Sequence, residues 1–181
     1  VSAAGSIEAM KRSKKETRGG AAKQTLAVEM RGDAWEIVHP RCARRRREDI
    51  EEIADMLASG EIDIAKDELV WLLSECPDFL EAHVQLGAIA MESDDLRLAR
   101  GHFGRAYELS LRALEAAGNP GPLPYALRGN ESFWEASKGL LYCLVQTGRR
   151  PMALDAWKRL QPLDPSDPLG IAQIVGTLKK T

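Results

Sequence analysis

From residue 50 onward, apolar side chains recur at helical spacing with short turn signals between them. Ile50, Ile53, Ala54 and Leu57 mark one face of a first helix, closed by Ser59-Gly60. Ile64, Ala65, Leu69, Leu72 and Leu73 mark a second, which must stop before Pro77. Asp78 and Glu81 have the spacing of a capping box for a third helix, carried by Val84, Leu86, Gly87 and Met91. Asp94-Asp95 opens a fourth. There LRLARGHFGRAY sets Ala99, Phe103 and Ala106 on one face and arginines on the others. Its apolar positions continue through Leu109, Leu111 and Leu114 to Ala117, which predicts a rod roughly 30 Å long. The run Gly118-Asn119-Pro120-Gly121-Pro122 stops it. Asn130 or Ser132 caps a fifth helix through Leu140, Leu141 and Leu144, ending at Gly148. A sixth runs from about Pro151 to Leu160, and Asp167-Pro168 starts a last short one.

Ahead of this region the pattern changes. Residues 1–24 carry small side chains, Gly-Gly and scattered Lys and Arg, with little to bury, and are expected to be disordered. Residues 25–40 bring Leu26, Val28, Met30, Trp35, Ile37 and Val38, enough for a short strand-like or irregular arm on the body. Strand signals are nearly absent afterwards. Antiparallel helix pairs joined by tight turns are the expected architecture.

The second helix of each pair repeats one spacing: Ala65, Leu69, Leu72; then Ala99, Phe103, Ala106; then Ala153, Trp157, Leu160. The first two registers lie 34 residues apart at every position, and Gly60 matches Asp94 in the turns. The third lies 54 further on, the extra 20 falling in the long helix and the Pro/Gly loop. Such a unit resembles the tetratricopeptide repeat (TPR). Leu86-Gly87 with Ala99, Phe103 and Ala106 matches it best. Leu140, Gly148, Ala153, Trp157 and Pro165 supply the third unit. The first keeps Gly60, Ala65, Leu69 and Pro77 but has Glu52-Ile53 where Leu-Gly is usual. The resemblance covers about residues 49–167. A small residue lets paired helices approach, a bulky one fills the gap, and neighbouring pairs stack because no pair buries its stripe alone.

That resemblance implies an all-α, right-handed α-α superhelix over residues 49–181, preceded by an irregular basic arm over 1–48. It divides the body into units at about 49–78, 79–129 and 130–166, with a capping helix at 167–179. It also implies that the first helix of each pair lines a concave groove able to hold a partner peptide or helix. The inward positions are Ile50, Ala54 and Leu57 in the first unit and Val84, Ala88 and Met91 in the second. Lys138, Tyr142, Val145 and Gln146 complete the set in the third. The competing expectation is that the N-terminal arm or the last helix covers several of them. Some members of this family clamp the C-terminal carboxylate of heat-shock chaperones with inner-helix Lys and Asn. Here Ala54 stands where the Asn would, and only Lys138 and Arg47 supply positive charge, so that function is not carried over.

Charge changes the picture more than composition does. The chain has 181 residues and a net charge of −2, yet residues 1–48 hold 12 basic against 6 acidic side chains, while the body is acidic. Arg44, Arg45, Arg46 and Arg47 are consecutive at the entry to the first helix. They read either as an electrostatic footprint for RNA, the ribosome or an acidic protein, or as a solvated face paired with Glu48, Glu51 and Glu52. The second reading is preferred, since no aromatics interleave with them. No apolar run approaches the roughly 18 residues of a membrane span. Lys and Arg near the start have no apolar stretch behind them, so no secretory signal is read there. Three widely spaced cysteines, Cys42, Cys76 and Cys143, suggest reduced thiols in a cytoplasmic protein.

Candidate chemistry is sparse. His83 and His102 fall on adjacent helices of one pair, but no HExxH or paired CxxC accompanies them, and no metal or other cofactor is expected. The loop holding Leu123, Tyr125, Leu127, Phe133 and Trp134 either docks a partner or caps the core where the register breaks. No nucleophile elbow, P-loop or Rossmann glycine pattern occurs, so no enzyme is expected. The sequence points to an interaction module that binds a protein segment, with an RNA- or ribosome-associated factor as the alternative.

Overall fold

The computed structural model describes residues 25–177. The expected disorder of residues 1–24, and the extension of the last helix to residue 179, lie outside or partly outside that range. Strands β1 (Ala27–Arg31) and β2 (Ala34–Val38) form an antiparallel hairpin. Helices follow as α1 (Arg41–Arg45), α2 (Arg47–Ala58), α3 (Ile62–Glu75), α4 (Leu80–Glu92), α5 (Leu96–Ala116), α6 (Glu131–Gln146), α7 (Arg150–Leu160) and α8 (Ile171–Gly176).

The repeat is visible in the backbone. Gly60, Asp94 and Gly148 all adopt the left-handed conformation, with φ of 81°, 59° and 70°. The same kink therefore turns α2 into α3, α4 into α5 and α6 into α7. Beneath it, Ala65, Ala99 and Ala153 are fully buried, as are Leu72, Ala106 and Leu160. Phe103 is the large member of the pattern. Its ring lies against Gly87 of α4 on one side and Gly139 of α6 on the other. A Cβ added at Gly87 would lie 2.7 Å from the ring, and at Gly139 2.6 Å. One aromatic knob on α5 thus fills holes in both neighbouring helices and locks unit two to unit three.

Two apolar clusters result. Ile50, Ile53, Leu69, Leu72, Phe79 and Leu86 form one under the first unit. A larger one centres on Phe103, Leu123, Phe133, Leu141 and Leu144 and takes in α8 through Ile171 and Val175.

Four expectations are corrected. Of the two readings of residues 25–40, the strand-like one holds and the irregular one does not: Gly32, at φ 67°, turns a hairpin, and Leu26 and Ile37 join the larger core. The buried part of the hairpin's hold on the body is Asn130, expected as a helix cap. No side-chain cap bond is made there. Instead the buried amide accepts from Ile37 N (2.8 Å) and donates to Trp35 O and Pro124 O (2.9 Å each). Bonds from Trp35 N to Pro122 O (2.8 Å), His39 Nε2 to Gly129 O (2.9 Å) and Gly129 N to Glu36 Oε1 (3.0 Å) add to that hold. The Asp78–Glu81 capping box does not form either: Phe79 is the N-cap residue of α4 and makes no side-chain cap bond. Cys42 and Cys76 are joined in a disulfide, with Cα atoms 5.8 Å apart, so the three thiols are not all reduced. It ties α1 to the end of α3. Only Cys143 is a free thiol among the described residues. Disulfides persist in oxidising surroundings, so the cytoplasmic expectation loses the support it drew from cysteine count.

Candidate functional site: the inner face of three helices

Helices α2, α4 and α6 are the first members of the three pairs, and their outward stripes are the expected groove. Ala54 is exposed and Leu57 half-buried on α2; Val84, Ala88 and Met91 are half-buried on α4. On α6, Lys138, Tyr142 and Gln146 are exposed and Val145 is half-buried. Ile50 does not belong with them. It is only 5% exposed and packs in the first unit's core, because the helical turn at position 50 points toward α3. Tyr142 is 38% exposed and lies on the exposed stripe of α6, whose other faces are largely buried.

The first turns of these helices add a feature that apolar periodicity does not reveal. Glu81 of α4 and Glu131 and Glu135 of α6 lie close enough to feel one another, and Glu81 also feels Glu51 of α2. Burial holds the Glu81 and Glu135 carboxyls above the usual range, and neighbouring carboxylates add to it; Arg47 opposes at Glu81 and Lys138 at Glu135. These outward stripes of α2, α4 and α6 are therefore polar and electronegative at one end and apolar toward Ala88, Met91, Tyr142 and Val145. A signal was available: glutamates three or seven residues before the groove positions share their helical face.

The arginine run is dispersed rather than pooled. Arg44 and Arg45 end α1 as exposed residues. Arg46 pairs with Asp49 at 3.0 Å and lies over Trp71, 4.6 Å from its ring centre. Arg47 lies 3.6 Å from Glu51. Leu123, Phe133 and Trp134 of the interrupting loop are buried, and Trp134 Nε1 donates to Leu123 O at 2.8 Å; these side chains cap the core rather than facing outward. Tyr125 and Leu127 remain half-buried. His83 and His102 do meet, with ring centres 5.8 Å apart, but no group of three metal-ligating side chains occurs among the described residues. Burial lowers the His83 pKa to about 4; its Nε2 donates to Pro77 O and its Nδ1 has no partner. No helix of the described residues is long and apolar enough to cross a membrane.

The geometry defines a helical-repeat protein of three TPR-like hairpins, stacked through matched small and large residues. No family model matches the chain, and no curated protein matches it. Among solved structures it is similar to the crystal structure of YrrB, a TPR protein with an unusual peptide-binding site. The identity is 18%, the match covers 77% of this chain and 84% of that one, and the TM-score is 0.31. The assignment of the hairpins rests on their own register and turns.

Proposed function

We propose that the chain is a non-catalytic adaptor whose inner face, formed by α2, α4 and α6, holds a segment of a partner protein. Stacked in the right-handed sense that the TPR resemblance implies, these helices share one concave surface. The observation that carries this reading is Tyr142. It is an exposed aromatic on α6, in line with exposed Lys138 and Gln146 and with the half-buried Val84, Ala88 and Met91 of the neighbouring α4. Aromatic anchors of this kind dominate binding when a partner desolvates them. Glu51, Glu81, Glu131 and Glu135 set the polarity of the bound segment, favouring one with Lys or Arg at the end near the first turns. The nucleic-acid alternative is less favoured, since Arg46 and Arg47 already pair with Asp49 and Glu51.

Peptides selected from a random display library on the immobilised full chain test this. The selected peptides should lose affinity for Tyr142→Ala and for Ala88→Glu. They should keep it when Arg44, Arg45, Arg46 and Arg47 are all changed to Ser. Binding that ignores the first two changes and disappears with the third overturns the proposal in favour of the basic arm.

A further inference from the structure

The opposite side of the stack carries a second groove, between α5 and α7 with α6 as its floor. It encloses about 520 Å³ and is lined by Leu140 and Leu144 below and by Met152, 53% exposed, at its edge. Two residues of α5 in its wall are glycines, Gly101 and Gly104. Glycine weakens a helix interior relative to alanine, so each needs a reason. Gly87 and Gly139 have theirs in the Phe103 ring. These two have none inside the molecule: a Cβ at Gly101 would meet nothing within 4 Å, and at Gly104 only Leu140 Cδ1 at an ordinary 3.8 Å. What they do is leave one turn of α5 bare on the outside.

An independent observation falls in the same place. Tyr107 lines the groove and is only 8% exposed, and its hydroxyl has no hydrogen-bond partner. Buried hydroxyls are normally satisfied. The charge of Arg159, on the groove's rim, acts on this phenol. Arg100 and Arg105 complete the rim, and neither makes an ion pair among the described residues. Glu108 and Asp155 also border the groove; Asp155 lies 3.7 Å from Lys158 and Arg159 lies 4.0 Å from Glu115, both exposed pairs, so the excess of basic over acidic charge on the rim is carried by Arg100 and Arg105 against Glu108.

We propose that this outer groove is a second binding site, for an acidic amphipathic helix of a partner protein. The partner's backbone approaches over Gly101 and Gly104, and its apolar face covers Leu140, Leu144 and Met152. A carboxylate accepts from the Tyr107 hydroxyl and pairs with Arg159. The site is separate from the inner face, so one module can bridge two segments.

Peptide display on the full chain, with counter-selection against a Gly101→Leu/Gly104→Leu variant, tests it. Leucine at these open positions fills the groove without disturbing the core, and an unchanged or higher melting temperature certifies the fold. The enriched clones should be rich in Asp and Glu alternating with apolar residues. A synthetic peptide of the enriched sequence should bind the double leucine variant at least about tenfold more weakly and Tyr107→Phe several-fold more weakly. It should bind Tyr142→Ala as well as the native chain, which separates this site from the inner face. Three results overturn the proposal. The clones show no acidic bias, or they bind the leucine variant equally well. Alternatively, the native chain proves to be a dimer that the leucine variant dissociates, which would make a second copy the occupant.

Discussion

Adding one methyl group to Gly139 should destabilise the protein, although alanine is the better helix former. Gly139 sits within α6, and a Cβ there would lie 2.6 Å from Phe103 Cε2 and Cζ. Carbon atoms pack best at about 3.5–4.0 Å, so the methyl overlaps the ring by about 1 Å. The ring has nowhere to go: it is 3% exposed and backed by Gly87 on α4. Forcing extra volume into such a site costs about 1–3 kcal/mol, against about 1 kcal/mol gained in helix propensity. Because the ring is pinned on both sides, a net loss of about 1–2 kcal/mol is expected. Gly101→Ala is the control. Its Cβ meets nothing within 4 Å, so it should gain about 1 kcal/mol. In a chain of this size, 1 kcal/mol moves the melting temperature by about 2–4 °C. Urea titrations of both variants should therefore shift in opposite directions. Phe103→Leu should remove most of the Gly139→Ala penalty in a double-mutant cycle. If Gly139→Ala is stabilising by as much as Gly101→Ala, the Phe103 knob does not hold units two and three together.

Three further outcomes follow from single sites. His83 is neutral in the fold, with its pKa lowered from 6.5 to about 4 by burial. The unfolded chain takes up this proton first, so the stability it confers is present above pH 6.5 and is lost as pH falls toward 4, a term on the order of 3 kcal/mol. Ring titration by NMR should show it, and His83→Gln should flatten the stability profile over that window; an ordinary His83 titration near 6.5 would refute it. Replacing Cys42 and Cys76 by Ser releases a link across 34 residues and should cost about 2–4 kcal/mol in chemical denaturation, with no loss on adding reductant to the variant. Asn130→Ala leaves Ile37 N, Trp35 O and Pro124 O without their partner, so about 2–4 kcal/mol and early hydrogen exchange across β2 are expected.

The helix pairs were legible because their spacing is enforced by contact. Ala65, Ala99 and Ala153 are fully buried just past the turn of each pair, where a small side chain lets the two helices approach, so composition and position report the same fact. The hairpin was half legible. Val28, Met30, Trp35 and Ile37 alternate as strands do, but Met30 is 60% exposed, and a five-residue strand offers few periods to read. Asn130 looked like a cap because its type suits one. One of its partners, Pro124 O, lies six residues away, but the two that hold the hairpin lie 93 and 95 residues away, where no local pattern reaches. The disulfide is illegible for the same reason: the helices bring together two cysteines whose spacing gives no reason to pair them.

The break in the repeat and the hairpin are best understood together. A stack of three pairs exposes apolar surface at each end, which longer arrays cover with capping units. At the first end the disulfide holds α1 against α3. At the second, α8 lays Ile171 and Val175 on the larger core. The 20 extra residues between units two and three serve a different gap. They carry Leu123 into the core, where Trp134 Nε1 bonds its carbonyl, and bring Pro124 O to the Asn130 amide that also holds β2. Phe133 and Tyr107, stacked with ring centres 6.1 Å apart, fill the space beside it. The insertion thus converts an interruption of the solenoid into a seat for the N-terminal hairpin. With Leu123, Phe133 and Trp134 spent on the core, this stretch serves the fold, and the two surfaces proposed above for a partner, the inner stripe through Tyr142 and the outer furrow over Gly101 and Gly104, both lie on the helices.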